Sequence, residues 1–325
     1  MVKGFIIGKF MPLTKGHQYL IEFGARRCDE LTVMLAAKTD EPIDYMRRML
    51  WLMHTYNDRK NIRLVMDIVD EPEDMSDEEK SNWWGNRIKN RWGKYDVVFS
   101  SENYGERFAK AMGARHEVCD IDRKILPISA TKVREKPLTN WSYISRETQP
   151  YYVKKVGIVG TESTGKTTLC KQLAEHYNTN WAKEIGREVI PDTDKCTIDD
   201  LRYVGYEHIK NMQETIKNSN KLVFVDTDIY ITRSYSKFLF NDIPNWPYWV
   251  YEECTMDLLI FLNSDAPYVN DGTRMSDEDR KRLELSHLET YASENIFPKR
   301  FPFNGSYEKR FEDVVFYIDE FLTKF

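Results

Sequence analysis

Short apolar runs alternate along the chain with segments in which apolar residues return every three or four positions. The runs lie near residues 3 to 8, 31 to 37, 62 to 69 and 95 to 100, with a short one around 116 to 119, and again near 153 to 159, 221 to 226 and 257 to 262. Strand-like runs alternating with helix-period segments predict α/β layers built on parallel sheets, with ligands at the carboxyl ends of the strands. The closing segment from Tyr307 to Phe325 carries Phe311, Val314, Val315, Ile318 and Phe321 at helical spacing and predicts a final amphipathic helix. No internal repeat or low-complexity tract interrupts the pattern. A boundary falls within Thr139 to Tyr152, where Trp141, Tyr143 and Tyr151 surround polar residues and Pro150. The expected domains are therefore 1–148 and 149–325, joined by a linker aromatic enough to pack on a domain and fix the arrangement.

Composition narrows the class. With 325 residues, 41% of them apolar and 13% aromatic, the chain can bury two ordinary cores. A net charge of -5 gives no general attraction to nucleic acid or anionic lipid, so anionic ligands need local basic clusters. The cysteines, Cys28, Cys119, Cys170, Cys196 and Cys254, are scattered without C-x-x-C spacing, against a disulfide framework or structural zinc and for a reducing cytoplasm. The start at Met1 has too short an apolar run for a signal peptide, and no stretch approaches the ~18 apolar residues of a membrane span. A soluble protein with no nucleic-acid or membrane partner is expected, and a homo-oligomer is compatible with the sequence.

The most specific chemistry lies in Gly160-Thr161-Glu162-Ser163-Thr164-Gly165-Lys166-Thr167, a full G-x-x-x-x-G-K-[ST] loop between a predicted strand and a helical pattern that starts at Thr168. Its backbone N–H groups would cradle ATP phosphates, Lys166 would reach the β- and γ-phosphates, and the Thr167 hydroxyl would ligate Mg2+. The first half carries its own candidate, Gly8-Lys9-Phe10-Met11-Pro12-Leu13-Thr14-Lys15-Gly16-His17, again between strand and helix. Its glycines admit a close ligand, and Lys9 and His17 bring donors to a helix N-terminus. Ser129, Thr131, Lys132 and Arg134 add two hydroxyls and two cations, completing the outline of a nucleoside triphosphate site.

At these residues the chain resembles the nucleotidylyltransferase superfamily, through its G-K-F-x-P-x-[HT]-x-G-H start and I-S-x-T-x-x-R segment. The continuation through Arg134-Glu135-Lys136-Pro137, Trp141 and Tyr143 into the phosphate loop resembles the bifunctional nicotinamide mononucleotide adenylyltransferase/ribosylnicotinamide kinase, or NadR, family. Glu184-Ile185-Gly186-Arg187-Glu188, Asp226-Thr227-Asp228 and Asp271-Gly272-Thr273-Arg274 match that family's later segments in order. The resemblance implies a Rossmann-like nucleotidylyltransferase domain followed by a P-loop kinase domain. Two departures stand out. Thr14 replaces the histidine usual in the family, which implies slower adenylyl transfer. The helix-turn-helix domain of some members has no counterpart here, which implies no operator binding.

For the first domain the resemblance implies attack of the mononucleotide phosphate on the α-phosphorus of ATP, giving NAD+ and pyrophosphate. Gly8, Lys9, Phe10, Thr14, Gly16, His17, Ser129, Thr131 and Arg134 are assigned to ATP, with His17 catalytic and the Thr14 hydroxyl donating to a phosphate. Trp84 in Trp83-Trp84-Gly85-Asn86-Arg87-Ile88-Lys89 matches the aromatic that would stack on nicotinamide. For the second domain the implied reaction is γ-phosphoryl transfer from ATP to the 5'-hydroxyl of nicotinamide riboside. Gly160, Glu162, Ser163, Thr164, Gly165, Lys166, Thr167, Thr168 and Arg274 are assigned to ATP, and Glu184, Arg187, Glu188, Asp228, Tyr268 and Asp271 to the riboside. Asp226 either holds Mg2+ with Thr167 or accepts the hydroxyl proton.

Plainer readings stand beside these. Trp83, Trp84 and Trp92 also suit core packing or, with Arg87, Lys89 and Arg91, a nucleic-acid stripe. Arg280, Lys281 and Arg282 read either as a lid of cations or as a solvated helix face. The acidic tract from Asp70 to Glu79 reads as a solvated loop and helix start. Two rivals to the full bifunctional assignment remain: a kinase with a weakened adenylyltransferase domain, and a sensor that binds NAD or ATP without turnover.

Overall fold

The apolar runs of the first half become strands Lys3–Gly8 (β1), Glu30–Ala37 (β2), Ile62–Ile68 (β3), Val97–Ser100 (β4) and Arg115–Val118 (β5) in the computed structural model. All residues are described except Glu71, Glu73, 191–194, 267–275 and the side chain of Arg187. The strands pair in parallel in the order β3-β2-β1-β4-β5. Successive β1 side chains point to opposite faces. Ile6 joins a core with Ile21, Trp51 and Leu52 from helices Lys15–Ala25 (α1) and Tyr45–Tyr56 (α2). Phe5 joins another with Trp84, Ile88 and Phe108 from Asp77–Trp92 (α3) and Gly105–Met112 (α4).

Side-chain caps fix where these helices begin. Thr14, Asp44 and Ser76 accept hydrogen bonds from first-turn N–H groups of α1, α2 and α3, and Ser129 does so for Ala130–Glu135 (α5). At α3 the cap is a reciprocal Ser76–Glu79 box followed by Asp77, Glu78 and Glu79, so this end of the acidic tract complements the helix dipole. Strand order reverses between β1 and β4, which leaves the crevice of a doubly wound sheet beyond Gly8 and Ser100. The chain divides after Gln149 into units Met1–Gln149 and Pro150–Lys324. Within the first unit the aromatic segment before this division is anchored by buried Trp141 and by an antiparallel bridge from Ile144 to Thr14. A short helix, Gln149–Tyr152 (α6), falls at the division itself.

The second unit repeats the architecture with strands Lys154–Gly160 (β6), Asn180–Ala182 (β7), Leu222–Asp226 (β8), Leu258–Leu262 (β9) and Lys299–Phe301 (β10). All are parallel, in the order β10-β9-β6-β8-β7. Its helices are Lys166–His176 (α7), Gly186–Val189 (α8), Ile198–Ile216 (α9), Ile229–Phe240 (α10), Tyr248–Glu253 (α11), Asp277–Ser293 (α12) and Tyr307–Leu322 (α13). Leu169 and Leu173 of α7 pack with Val314 and Ile318 of α13 over one face. Ile231 of α10 and Tyr291 of α12 pack with Val159 and Phe261 on the other. Among the described residues no helix is long and apolar enough to cross a membrane.

Candidate active sites

In the first unit the loop after β1 is folded back on itself. Phe10 adopts a positive φ of 46° and is buried, its ring edge-on to His17 at 5.2 Å between centroids. Thr14 and His17 form a reciprocal cap at the start of α1. The Thr14 hydroxyl accepts from the His17 N–H at 3.4 Å, and the Thr14 N–H donates to His17 Nδ1 at 3.1 Å. Because Nδ1 accepts a backbone N–H it carries no proton in the neutral ring, so the proton sits on Nε2. Burial, reinforced by the Arg123 charge and partly offset by the Pro12 carbonyl, lowers the His17 pKa to about 4. His17 is therefore a neutral donor at physiological pH.

Arg134 joins the two sequence segments of this site, donating from Nη1 to the Met11 carbonyl and from Nη2 to Thr131 Oγ1 at 3.1 Å. Three of the residues expected on ligands make contacts within the fold. The Thr14 side chain is buried, with its hydroxyl 3.0 Å from His17 Nδ1, so it faces the imidazole rather than an open phosphate site. Lys9 Nζ is held 2.8 Å from Glu41, whose other oxygen lies 2.8 Å from fully buried Arg48. Burial alone would raise the Glu41 pKa, but Lys9, the Lys38 N–H and Arg48 outweigh it and keep the carboxylate ionised. Trp84 is buried in the core with Ile88, whereas an open groove of about 490 Å³ is lined by Trp83, Asn86, Arg87, Asn90 and Arg91. The arginines of that groove are pinned below by buried Asp67, at 2.5 Å from Arg87 and 2.7 Å from Arg91.

In the second unit β6 runs directly into the phosphate loop. Gly160 has φ 142°, and a Cβ there would lie 2.5 Å from the Leu262 carbonyl, so a side chain is excluded by both backbone and space. Gly165, with φ 88°, turns the chain into α7. Lys166 Nζ donates to the Thr161 carbonyl at 2.9 Å, and Thr167 Oγ1 donates to Asp226 Oδ2 at 2.6 Å. The structure thus brings Lys166, Thr167 and Asp226 to one edge, where β6 and β8 end side by side. Glu162 Oε1 accepts from Tyr235 Oη at 3.4 Å, and Thr168 is exposed on the first turn of α7.

Asp228 departs from its expected place on the riboside. Its Oδ1 accepts from the Tyr230 and Ile231 N–H groups, each at 3.0 Å, and from Tyr291 Oη at 2.8 Å. The carboxylate is turned into the fold as the cap of α10, and burial raises its pKa to about 6 against the pull of those donors. Of the cations read as a lid or a solvated helix face, two lie on the solvated face and one is buried. Arg280 is buried and donates to the Ser264 carbonyl at 2.6 Å, while Lys281 and Arg282 pair with Asp277 and Asp279 on their own helix. Intrahelical ion pairs at this spacing are a general stabilising pattern. Glu184 follows β7 and Glu188 lies exposed on α8, beyond the carboxyl end of the strand beside β8. Tyr268, Asp271 and Arg274 lie outside the described residues, as does the side chain of Arg187.

Sequence reading missed Arg310 of α13. It is buried, donates from Nη1 to the Thr164 carbonyl of the phosphate loop at 3.0 Å, and pairs with Asp265 at 3.2 Å. An arginine inside an amphipathic pattern carries no mark of such a contact. Arg48 was missed for the same reason, and its partner Glu41 lies in the loop before α2, outside any motif.

Comparison with known proteins matches both units. Residues 155–310 match the family model of an AAA domain, and residues 3–68 match that of the citrate lyase ligase C-terminal domain. The trifunctional NAD biosynthesis/regulator protein NadR of Escherichia coli is 29% identical over 320 residues, covering 90% of this chain and 77% of that protein. The protein of the same name from Salmonella typhimurium is similar to the same extent. Two crystal structures share the fold over 99% of this chain and 96% of theirs: NadR protein in complex with NAD and AMP-PNP, at TM-score 0.79 and 23% identity, and NadR protein in complex with NR, at 0.77 and 24%.

Proposed function

We propose that this chain, a member of the NadR family across both of its units, phosphorylates nicotinamide riboside with ATP in the second unit and adenylylates the resulting mononucleotide to NAD+ in the first. The observation that carries this reading is that each unit has its own phosphate cradle at the carboxyl edge of its own sheet. One is built on His17 with Arg134, the other on Lys166 with the Thr167–Asp226 pair. The NAD, AMP-PNP and NR named for the related structures are the ligands such a pair of sites would take. The five cysteines are free, which suits a reducing cytoplasm.

In the first unit a mononucleotide phosphate oxygen attacks the α-phosphorus of ATP, and the bond to the bridging oxygen of pyrophosphate breaks. Nucleophile and leaving group are both ready-made, so catalysis rests on position and charge. His17 offers Nε2–H to the phosphates as a neutral donor, held in orientation by Thr14. Trp83, facing the groove, takes over the stacking role expected of Trp84.

In the second unit the riboside 5'-hydroxyl attacks the γ-phosphorus and ADP leaves. Lys166 leaves the Thr161 carbonyl for the phosphates, and Asp226, which accepts from the Thr167 hydroxyl, serves in this reading as acceptor of the 5'-hydroxyl proton. The Thr167 hydroxyl and Asp226 carboxylate are hard oxygen donors that fit Mg2+, which when bound would offset charge on the triphosphate.

The test is the full chain with nicotinamide riboside and Mg-ATP, following mononucleotide and NAD+ separately. Lys166→Ala should stop riboside phosphorylation while leaving conversion of added mononucleotide nearly intact. His17→Ala should do the reverse, slowing adenylyl transfer about a hundredfold. Equal loss of both activities in folded variants would refute two independent sites. Accumulation of mononucleotide without NAD+ in the parent would leave only the kinase.

A further inference from the structure

The loop between β5 and α5 is wound around one carboxylate. Asp120 accepts from the N–H groups of Lys124 at 2.8 Å and of Ile125 and Leu126, each at 3.2 Å. Asp120 and Arg123 both adopt positive φ, 47° and 51°, in the left-handed region that side chains enter only when the surroundings hold them there. The result is a fixed backbone that carries Arg123 back toward the Ser129 segment. Its Nη1 donates to the carbonyl of Ile128, the residue before Ser129, at 3.4 Å.

The rest of the guanidinium is only loosely engaged. Nη2 pairs with Glu102 at 2.8 Å, but the two side chains are 37% and 48% exposed, and so exposed an ion pair contributes little. A polyphosphate offers more charge and a matching fork of oxygens. The charge of Arg123 is already felt at His17, where it helps to lower the imidazole pKa. Arg123 therefore combines a strained, fixed backbone, a place beside the Ser129 segment and a weakly held cation.

We propose that Arg123 is a phosphate-binding residue of the first unit, its guanidinium exchanging Glu102 for the pyrophosphate portion of ATP. This rests on the adenylyl-transfer reading. No bond beyond those already described forms or breaks, and Arg123 donates hydrogen bonds to oxygens that gain charge as pyrophosphate departs.

Inorganic pyrophosphate is the probe, titrated calorimetrically into the full chain carrying Lys166→Ala, which weakens the second unit as a competing site. Adding Arg123→Gln should weaken binding at least tenfold, and Arg123→Lys should recover part of it. Glu102→Gln should tighten it, because the guanidinium is released. Unchanged exchange protection of the Lys124, Ile125 and Leu126 amides in Arg123→Gln shows that the loop still folds, and with the loop intact a rise in the His17 imidazole pKa, read by NMR, shows that the missing charge faced the site. Unchanged pyrophosphate affinity in Arg123→Gln, or no pyrophosphate binding in its parent, overturns the proposal. Failure of the wild-type chain to make NAD+ from mononucleotide would instead count against the adenylyl-transfer reading, since pyrophosphate binding is measured without turnover.

Discussion

A single hydroxyl at Thr14 both caps α1 and steadies the His17 imidazole. Thr14→Val keeps the shape but removes the cap, so the first unit should lose about 1 kcal/mol of stability. Adenylyl transfer should slow about tenfold, the worth of one ordinary hydrogen bond, because His17 loses part of its orientation. Thr14→Ser should retain both properties, and riboside phosphorylation should stay unchanged in either variant. Mononucleotide-dependent rates at saturating Mg-ATP decide it; a Thr14→Val rate equal to the parent's would show that the hydroxyl does not govern His17. At this scale the sequence names residue types but not the directions of their side chains. Trp83 and Trp84 differ by about 100° around a helix, and periodicity alone could not tell which one enters the core. Lys9 and Asp228 lie in the expected segments, yet each spends its polar atoms on a neighbour, Glu41 or Tyr291, that no motif names, and Thr14 turns to His17 within its own motif.

Among the elements, α13 shows how a helix serves a site it does not belong to in sequence. Its apolar face with Val314, Ile318 and Phe321 was legible from spacing, and the structure buries those residues. On the same helix Arg310 grips the Thr164 carbonyl and so fixes the phosphate loop from behind. Arg310→Met should raise the KM for ATP in riboside phosphorylation tenfold or more, given the usual strength of a hydrogen bond from a charged donor. Partly exposed Asp265 would be left to solvent, and adenylyl transfer should be unaffected. An unchanged KM would show that the loop holds its shape without α13. In the first unit β1 to β4 were legible as apolar runs, and β5, Arg115–Val118, showed only as a short run around 116 to 119. In the second unit, β7 and β10 escaped notice: Asn180–Ala182 and Lys299–Phe301 are short edge strands with polar residues, too brief for any period to register.

Across the molecule, buried titratable groups make stability depend on pH, and the second unit holds opposing ones. His208 and His287 are buried neutral, their pKa values lowered by burial to about 4 and about 3, with Lys166 adding to the effect at His287. Unfolded histidine takes up its proton near pH 6.5, so between that value and about 4 the unfolded unit binds two protons that the folded unit refuses, and acid favours unfolding. Asp228 acts in the other direction. Its folded pKa of about 6 lies above the ordinary 3.8, so over that interval the folded unit holds a proton that the unfolded one has lost. Two against one leaves the unfolded state ahead by about one proton near pH 5.5, which predicts a loss of stability on the order of 1 kcal/mol per pH unit between pH 6 and 5. Asp228→Asn keeps a capping oxygen but removes the opposing proton, and should steepen the loss roughly twofold. Amide hydrogen exchange of peptides from β8 and α12, followed across urea titrations at each pH, reports this unit separately from the first. A slope in Asp228→Asn no steeper than in the parent would mean that the carboxylate is ionised in the fold, and that its three hydrogen bonds outweigh its burial.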